Sequence, residues 1–291
     1  MKKRFGDRKD GKRVRDLGPI HKVMPYLMDK RCDAEVYISE KIDVTNLLAF
    51  LEEQNQGLDK GYKMTIFHVF ATAMAKTIYE RPLLNRFVQG KRHYDRHEIS
   101  LSFVAKTKLT DNAEEMLIKL VARKDDNVHT IKNFILSKVN KIRTTKTNNM
   151  DQTLKLLTSG PRFITSFIVW LIKWLDFRGW LPKSFTDMDP NYSTVLMSNL
   201  GSIKCNHAYH HLNNYGTNSI LMTIGVMRKE ELIINGKKEL RDIIEVGLTC
   251  DERIADGFYF AKSIILFKYL IENPSVLEQS MSTKVDFNPD N

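Results

Sequence analysis

Cysteine is scarce: Cys32, Cys205 and Cys250 stand far apart in a chain of 291 residues. No Cys-x-x-Cys pair occurs, which argues against a disulfide framework and a cysteine zinc cluster and fits a reducing cytosol. Long apolar runs are missing too. The most apolar stretch, 163–177, has 15 residues, short of the roughly 20 that span a bilayer. No apolar segment follows the basic N-terminus, so no secretory leader is read and a cytoplasmic placement is expected. Neither Gly-x-Gly-x-x-Gly nor a Walker loop is present, which disfavours a doubly wound nucleotide-binding fold. What is present is 42% apolar and 27% charged, an ordinary globular composition with ample chain to bury a core.

Net charge is +10, but residues 1–15 (MKKRFGDRKDGKRVR) carry +6 of it, leaving +4 for the other 276 residues. The excess reads as a basic tail over 1–17 and not as a basic domain face, so nucleic-acid binding is not expected. A solvated leader is the plain reading, and its removal is expected to leave the fold intact.

Periodicity outlines the rest. Helices are expected over 19–29, from Asp43 through DVTNLLAFLEEQ, over 63–80 up to Pro82, over a broken stretch at 127–157, and over 256–272. Strands are expected at 34–42, 83–89, 99–104, 116–121, 193–199, 219–226, 231–234 and 243–249, with Asn235-Gly236 as a hairpin turn. His68, inside an apolar helix, reads as a core histidine. The run FITSFIVWLIKWLDF (163–177) reads first as a buried helix or a lid. Its other reading is an interfacial helix that touches a membrane surface through Phe163, Trp170 and Trp174, with the two tryptophans stacked one turn apart.

Several motifs stand in an order that resembles a known family. LTCDERIADGFYFAKSIILFKYLIENPSVLE (248–278) is similar to the end of dihydrolipoyl acyltransferase catalytic domains of 2-oxo acid dehydrogenase complexes, which carry Asp-His-Arg-x-x-Asp-Gly before a helix ending in Glu-Asn-Pro. Chloramphenicol acetyltransferase shares part of that motif. IDVTNLL (42–48), PLLN (82–85), SNLG (198–201) and the 220–225 strand before an Asn-Gly hairpin follow the same order. The resemblance covers roughly 18–280, so 18–280 reads as the acyltransferase-like domain and 281–291 as a C-terminal tail.

The resemblance implies a fold class: an α/β, two-layer chloramphenicol acetyltransferase-like sandwich, a mixed sheet covered by helices. It also implies a homotrimer with the active site between neighbouring subunits, coenzyme A or acyl-CoA as co-substrate, and a small-molecule acceptor; no metal is expected, since no carboxylate or cysteine other than Cys205 stands at ligand spacing to the histidines at 207, 210 and 211. By position, Ser198 is the oxyanion donor and Asp256 the structural aspartate, whose arginine partner near the N-terminus has no evident counterpart; Arg13 and Arg15 lie closest. The general-base histidine is replaced by Glu252. An unperturbed histidine is about 2 pH units short of a thiol, about 3 kcal/mol; an unperturbed carboxylate is about 4 units short, about 6 kcal/mol. An apolar pocket narrows that gap.

Beyond SNLG, the loop NHAYHHLNNYG holds His207, His210 and His211; His210, His211 and Asn199 are candidates to line the channel. No lipoyl domain or Pro/Ala-rich linker is read in these 291 residues. Two readings stay open: a stand-alone CoA-dependent acyltransferase for an unknown acceptor, and a non-catalytic trimer of the same fold that binds or scaffolds.

Overall fold

The computed structural model describes residues 4–106, 115–144 and 160–288. In chain order the elements are β1 (Gly11–Arg13), α1 (Pro19–Leu27), β2 (Glu35–Asp43), α2 (Thr45–Gln54), α3 (Ile66–Glu80), β3 (Arg86–Gln89), β4 (Arg92–Arg96), β5 (Ile99–Lys106), β6 (Glu115–Ala122), α4 (Val128–Thr144), α5 (Arg162–Arg178), α6 (Lys183–Met188), β7 (Val195–Asn199), β8 (Ile220–Ile234), β9 (Lys237–Asp251) and α7 (Gly257–Glu272). The expected helix at 127–157 is seen as α4; its remainder lies outside the described residues.

Six strands form one mixed sheet in the order β2-β9-β8-β7-β5-β6, with β5, β7 and β8 parallel and the other pairs antiparallel. One face is apolar: Val195, Met197, Met222, Ile224, Val246 and Leu248 pack against α2, α3 and α7. Helix α3 is buried along most of its length, and its alanines at 71, 73 and 75 leave room for the sheet and α7. The opposite face is polar, with Ser39, Ser100, Ser102, Ser198, Thr223 and Thr249. Alternation at period two assigns these residues to the two faces.

Two expected strands, 219–226 and 231–234, are one strand, β8, with a register shift between Ile224 and Met227. Asn235 and Gly236 both take positive φ, as a tight hairpin turn requires, and join β8 to β9. The strand expected at 83–89 begins only at Arg86, because Pro82–Asn85 makes a short helical turn.

The solvated-leader reading does not hold for the described part of the N-terminal segment. Strand β1 pairs with β4, forming a small sheet in the order β1-β4-β3. Arg8 is only 4% exposed. Its guanidinium meets Asp10 at 2.8 Å and Asp176 at 2.7 Å, and also donates to the Asp176 carbonyl at 2.6 Å. Burial pushes the Asp176 carboxyl up from its ordinary range; the adjacent Arg8 and a 2.6 Å bond from Gln89 Nε2 stabilise the charged form against it. A charge run usually faces water, but here one of the paired acids, Asp176, comes from a helix 168 residues away.

Helix α5 also departs from its first reading. It is not buried: Phe163 is 73% and Trp170 57% exposed, and Asp176 is its one buried residue. Periodicity finds an apolar helix but cannot say whether anything covers it.

Two outcomes follow. Arg8→Ala leaves Asp176 buried without its cation and should lower unfolding free energy by about 3–5 kcal/mol in urea titrations; deletion of residues 1–15 should destabilise in the same direction. His68 Nδ1 accepts from the Thr65 backbone at 3.0 Å and caps α3. Burial, helped by the nearby charge of Lys132, lowers its pKa from 6.5 to about 4. The unfolded chain therefore takes up this proton first. The stability tied to neutral His68 is complete above about pH 6.5 and is lost toward pH 4, by up to about 1.4 kcal/mol per pH unit. His68→Gln keeps a cap acceptor and should flatten that interval in pH-dependent unfolding.

Candidate active site

Strand β9 ends at Asp251, and the loop it feeds carries Glu252. Asp251 is fully buried and takes a two-pronged bond from Arg253, both contacts at 2.7 Å. Arg31 Nε lies 3.8 Å from the same carboxylate. Arg31 also donates to the carbonyls of Asn213, Val88 and Gly216. Arg253 donates to the Met28 carbonyl at 2.8 Å, and the Glu252 N–H donates to Ala34 O at 2.9 Å. The backbone at Glu252 is thus tied to the end of α1, to the start of β2 and to the 213–216 loop. Charge-assisted, planar contacts of this kind fix orientation strongly.

The Glu252 side chain is half-buried and faces an open cavity of about 770 Å³. Its walls are mostly apolar: Met24 from α1, Val36 and Ile38 from β2, Phe260 and Ile264 from α7. His21, Asp256 and the Glu40–Lys268 ion pair share the cavity. The Glu252 carboxylate has no hydrogen-bond or ion-pair partner among the described residues, so the salt bridge that would explain it structurally is not made.

Asp256 is the N-cap of α7 and accepts from the Tyr259 N–H at 2.7 Å. No arginine approaches it among the described residues. Arg13 lies in β1, and Arg15 pairs with Asp7 at 3.1 Å. The buried N-terminal arginine nearest this loop is Arg31, and its carboxylate is Asp251. The titratable α1 residue sharing the cavity with Asp256 is His21. Neither role was legible: Arg31 sits in a polar stretch (DKRCD), and His21 lies on a short helix with no motif.

Ser198 is near the end of β7 on the polar face, and its hydroxyl has no partner among the described residues. It lies in a row across the sheet: Ser198 opposite Thr223, Thr223 opposite Gly247, Gly247 opposite Ser39. Glu252 lies five residues beyond Gly247 and two strands away from Ser198. That is about 17 Å along β9 and about 10 Å across, with the Glu252 cavity on the helix side of the sheet. One chain does not bring Ser198 and Glu252 together. Asn199, the next residue, caps the following turn by accepting from Ser202 N–H at 3.2 Å.

The histidine loop lies across the polar face. Thr223 Oγ1 donates to Ala208 O, and Gly247 is needed beneath it, since a Cβ there would meet Ala208 O at 2.9 Å. His207 is held through Nε2, 3.2 Å from Ser39 Oγ, while its Nδ1 lies 3.2 Å from a Glu245 oxygen without hydrogen-bond geometry. His210 and His211 are exposed further along, their rings stacked 4.6 Å apart. The loop histidine laid on the row of Ser198 is therefore His207. Among the described residues no group of three or more His, Cys, Asp or Glu side chains is arranged to hold a metal.

The layer order and sheet topology define a chloramphenicol acetyltransferase-like α/β fold. Chloramphenicol acetyltransferase itself superposes with a TM-score of 0.53 at 11% identity, over 90% of this chain and 98% of that one. The dihydrolipoamide acetyltransferase of Azotobacter vinelandii gives 0.60 at 16% identity, over 91% and 94%. Residues 12–155 and 183–278 match the family model described as 2-oxoacid dehydrogenases acyltransferase (catalytic domain), and the chain belongs to that family. The lipoamide acyltransferase component of the branched-chain alpha-keto acid dehydrogenase complex of Bacillus subtilis is 22% identical over 241 residues, 80% of this chain. The match spans 45% of the length of that relative. No helix among the described residues is long and apolar enough to cross a membrane.

Proposed function

We propose that the protein is a CoA-dependent acyltransferase working as a homotrimer, with each site assembled from Ser198 of one subunit and Glu252 of the next. The observation that carries this reading is the unpaired Glu252 carboxylate, held by a rigid loop at the mouth of an open, mostly apolar cavity. A structural glutamate would be paired or turned to water.

In this reading the acceptor's thiol or hydroxyl attacks the thioester carbonyl of acyl-CoA while Glu252 takes its proton. The Ser198 hydroxyl donates to the tetrahedral oxyanion. Collapse of that intermediate expels the CoA thiolate, which recovers the proton from Glu252. Asp256 supports the loop through the α7 N-terminus and not through an arginine. Asn199, His210 and His211 are proposed to line the approach to Ser198. The acyl acceptor is a small molecule.

A non-catalytic trimer is the second reading, favoured by the absence of an arginine at Asp256 among the described residues and by the weak basicity of an ordinary carboxylate. Titration with CoA and acyl-CoAs, followed by thioester cleavage assays on three variants, separates the two. Under the acyltransferase reading Ser198→Ala loses about 10²–10³ in rate, Glu252→Gln loses about 10²–10⁴, and Glu252→His retains or raises activity. Wild type and all three variants equally inert, with no CoA binding, would leave the non-catalytic reading standing.

A further inference from the structure

We infer that α5 is a docking element for an anionic lipid surface. Residues 156–182 fall between the two segments that match the family model, so α5 lies outside the part of the chain that the family model describes. The helix carries Phe163, Phe167, Trp170 and Trp174 at steps of four, three and four, one continuous stripe, extended by Trp180. Neighbouring rings along it lie 5.9, 6.5 and 5.5 Å apart. All three tryptophans of the chain are in this row. Tryptophan and phenylalanine on one face of a short helix suit the boundary between headgroups and acyl chains.

Charge commits the surface to one partner. Arg162, Ser166, Val169 and Lys173 form a second stripe about 90° round the helix. They border an open groove of about 620 Å³. Arg178 lies over the rings of Trp174 and Trp180, at 5.0 and 5.8 Å. The one acid between residues 160 and 183 is Asp176, buried and held by Arg8. An aromatic stripe facing the acyl chains would set the basic flank at the level of the phosphates. Two copies pressed together through this stripe would bring Arg162, Lys173 and Arg178 of both against each other. Through Asp176, Arg8 fixes the C-terminal end of the helix to the body, while the exposed first turns project from it. A 17-residue helix of about 25 Å is suited to lie along a membrane and not across it.

The test uses the full chain with vesicles of phosphatidylcholine alone and of phosphatidylcholine with phosphatidylglycerol. Co-sedimentation with the anionic vesicles is expected, with a blue shift of tryptophan emission and weakening as salt rises. The triple variant Phe163→Ser, Phe167→Ser, Trp170→Ser should lose more than about tenfold in affinity, and Lys173→Gln about fivefold. These side chains are exposed, so the urea midpoint should not move. Four results would overturn the proposal: no sedimentation with either vesicle, binding that the triple variant retains, a doubling of mass that the triple variant abolishes, or lipid-free tryptophans that acrylamide cannot quench because protein already covers them.

Discussion

Ser198 and Glu252 sit on opposite sides of one six-stranded sheet, about 17 Å apart along the strands and two strands apart across them. No rotamer closes that distance, and the sheet between them is packed core. Any chemistry that uses both residues has to take one from a neighbouring copy. The exposed side chains of β2, the open cavity beside Glu252 and the unpartnered hydroxyl of Ser198 all become intelligible under that constraint. In the proposed trimer each would be half of a site whose other half belongs to another chain.

The second requirement is stiffness. A base on a loop works only if the loop does not wander. Asp251 supplies this by drawing two arginines into the interior, Arg253 through two short bonds and Arg31 at longer range. The same arginines reach carbonyls at Met28, Val88, Asn213 and Gly216. One buried carboxylate therefore couples the end of β9, the end of α1, strand β3 and the end of the histidine loop. Removing it would strand two buried cations, so its cost would spread over all four segments.

Much of this was legible in the sequence, and the exceptions share a cause. Long periodic segments such as α3 and α7 and the Asn-Gly hairpin stand out because burial repeats at a fixed step. The order of motifs, from IDVTNLL to the Asp-Gly loop, points to the family. Strands β1 and β4 (GKR and RHYDR) escape notice because their residues are charged and show no alternation. Arg8 escapes for the same reason: its acid, Asp176, is distant in sequence. At the site, Glu252 and Ser198 are found by position, whereas His21, Arg31 and the contacts of His207 depend on which chain segments meet. The sequence pattern names apolar faces but not what lies against them, as α5 demonstrates.

If the site is shared between subunits, mixing two chains damaged in different residues restores part of the activity. Ser198→Ala and Glu252→Gln, each nearly inactive alone, are unfolded together and refolded at equal amounts. If each site takes Ser198 from one subunit and Glu252 from the next, about a quarter of the sites in random trimers hold both intact residues, and thioester cleavage should return to about that fraction of wild type. No recovery from a mixture that refolds to trimers, or full wild-type activity in a 33.8 kDa monomer, would rule out a shared site.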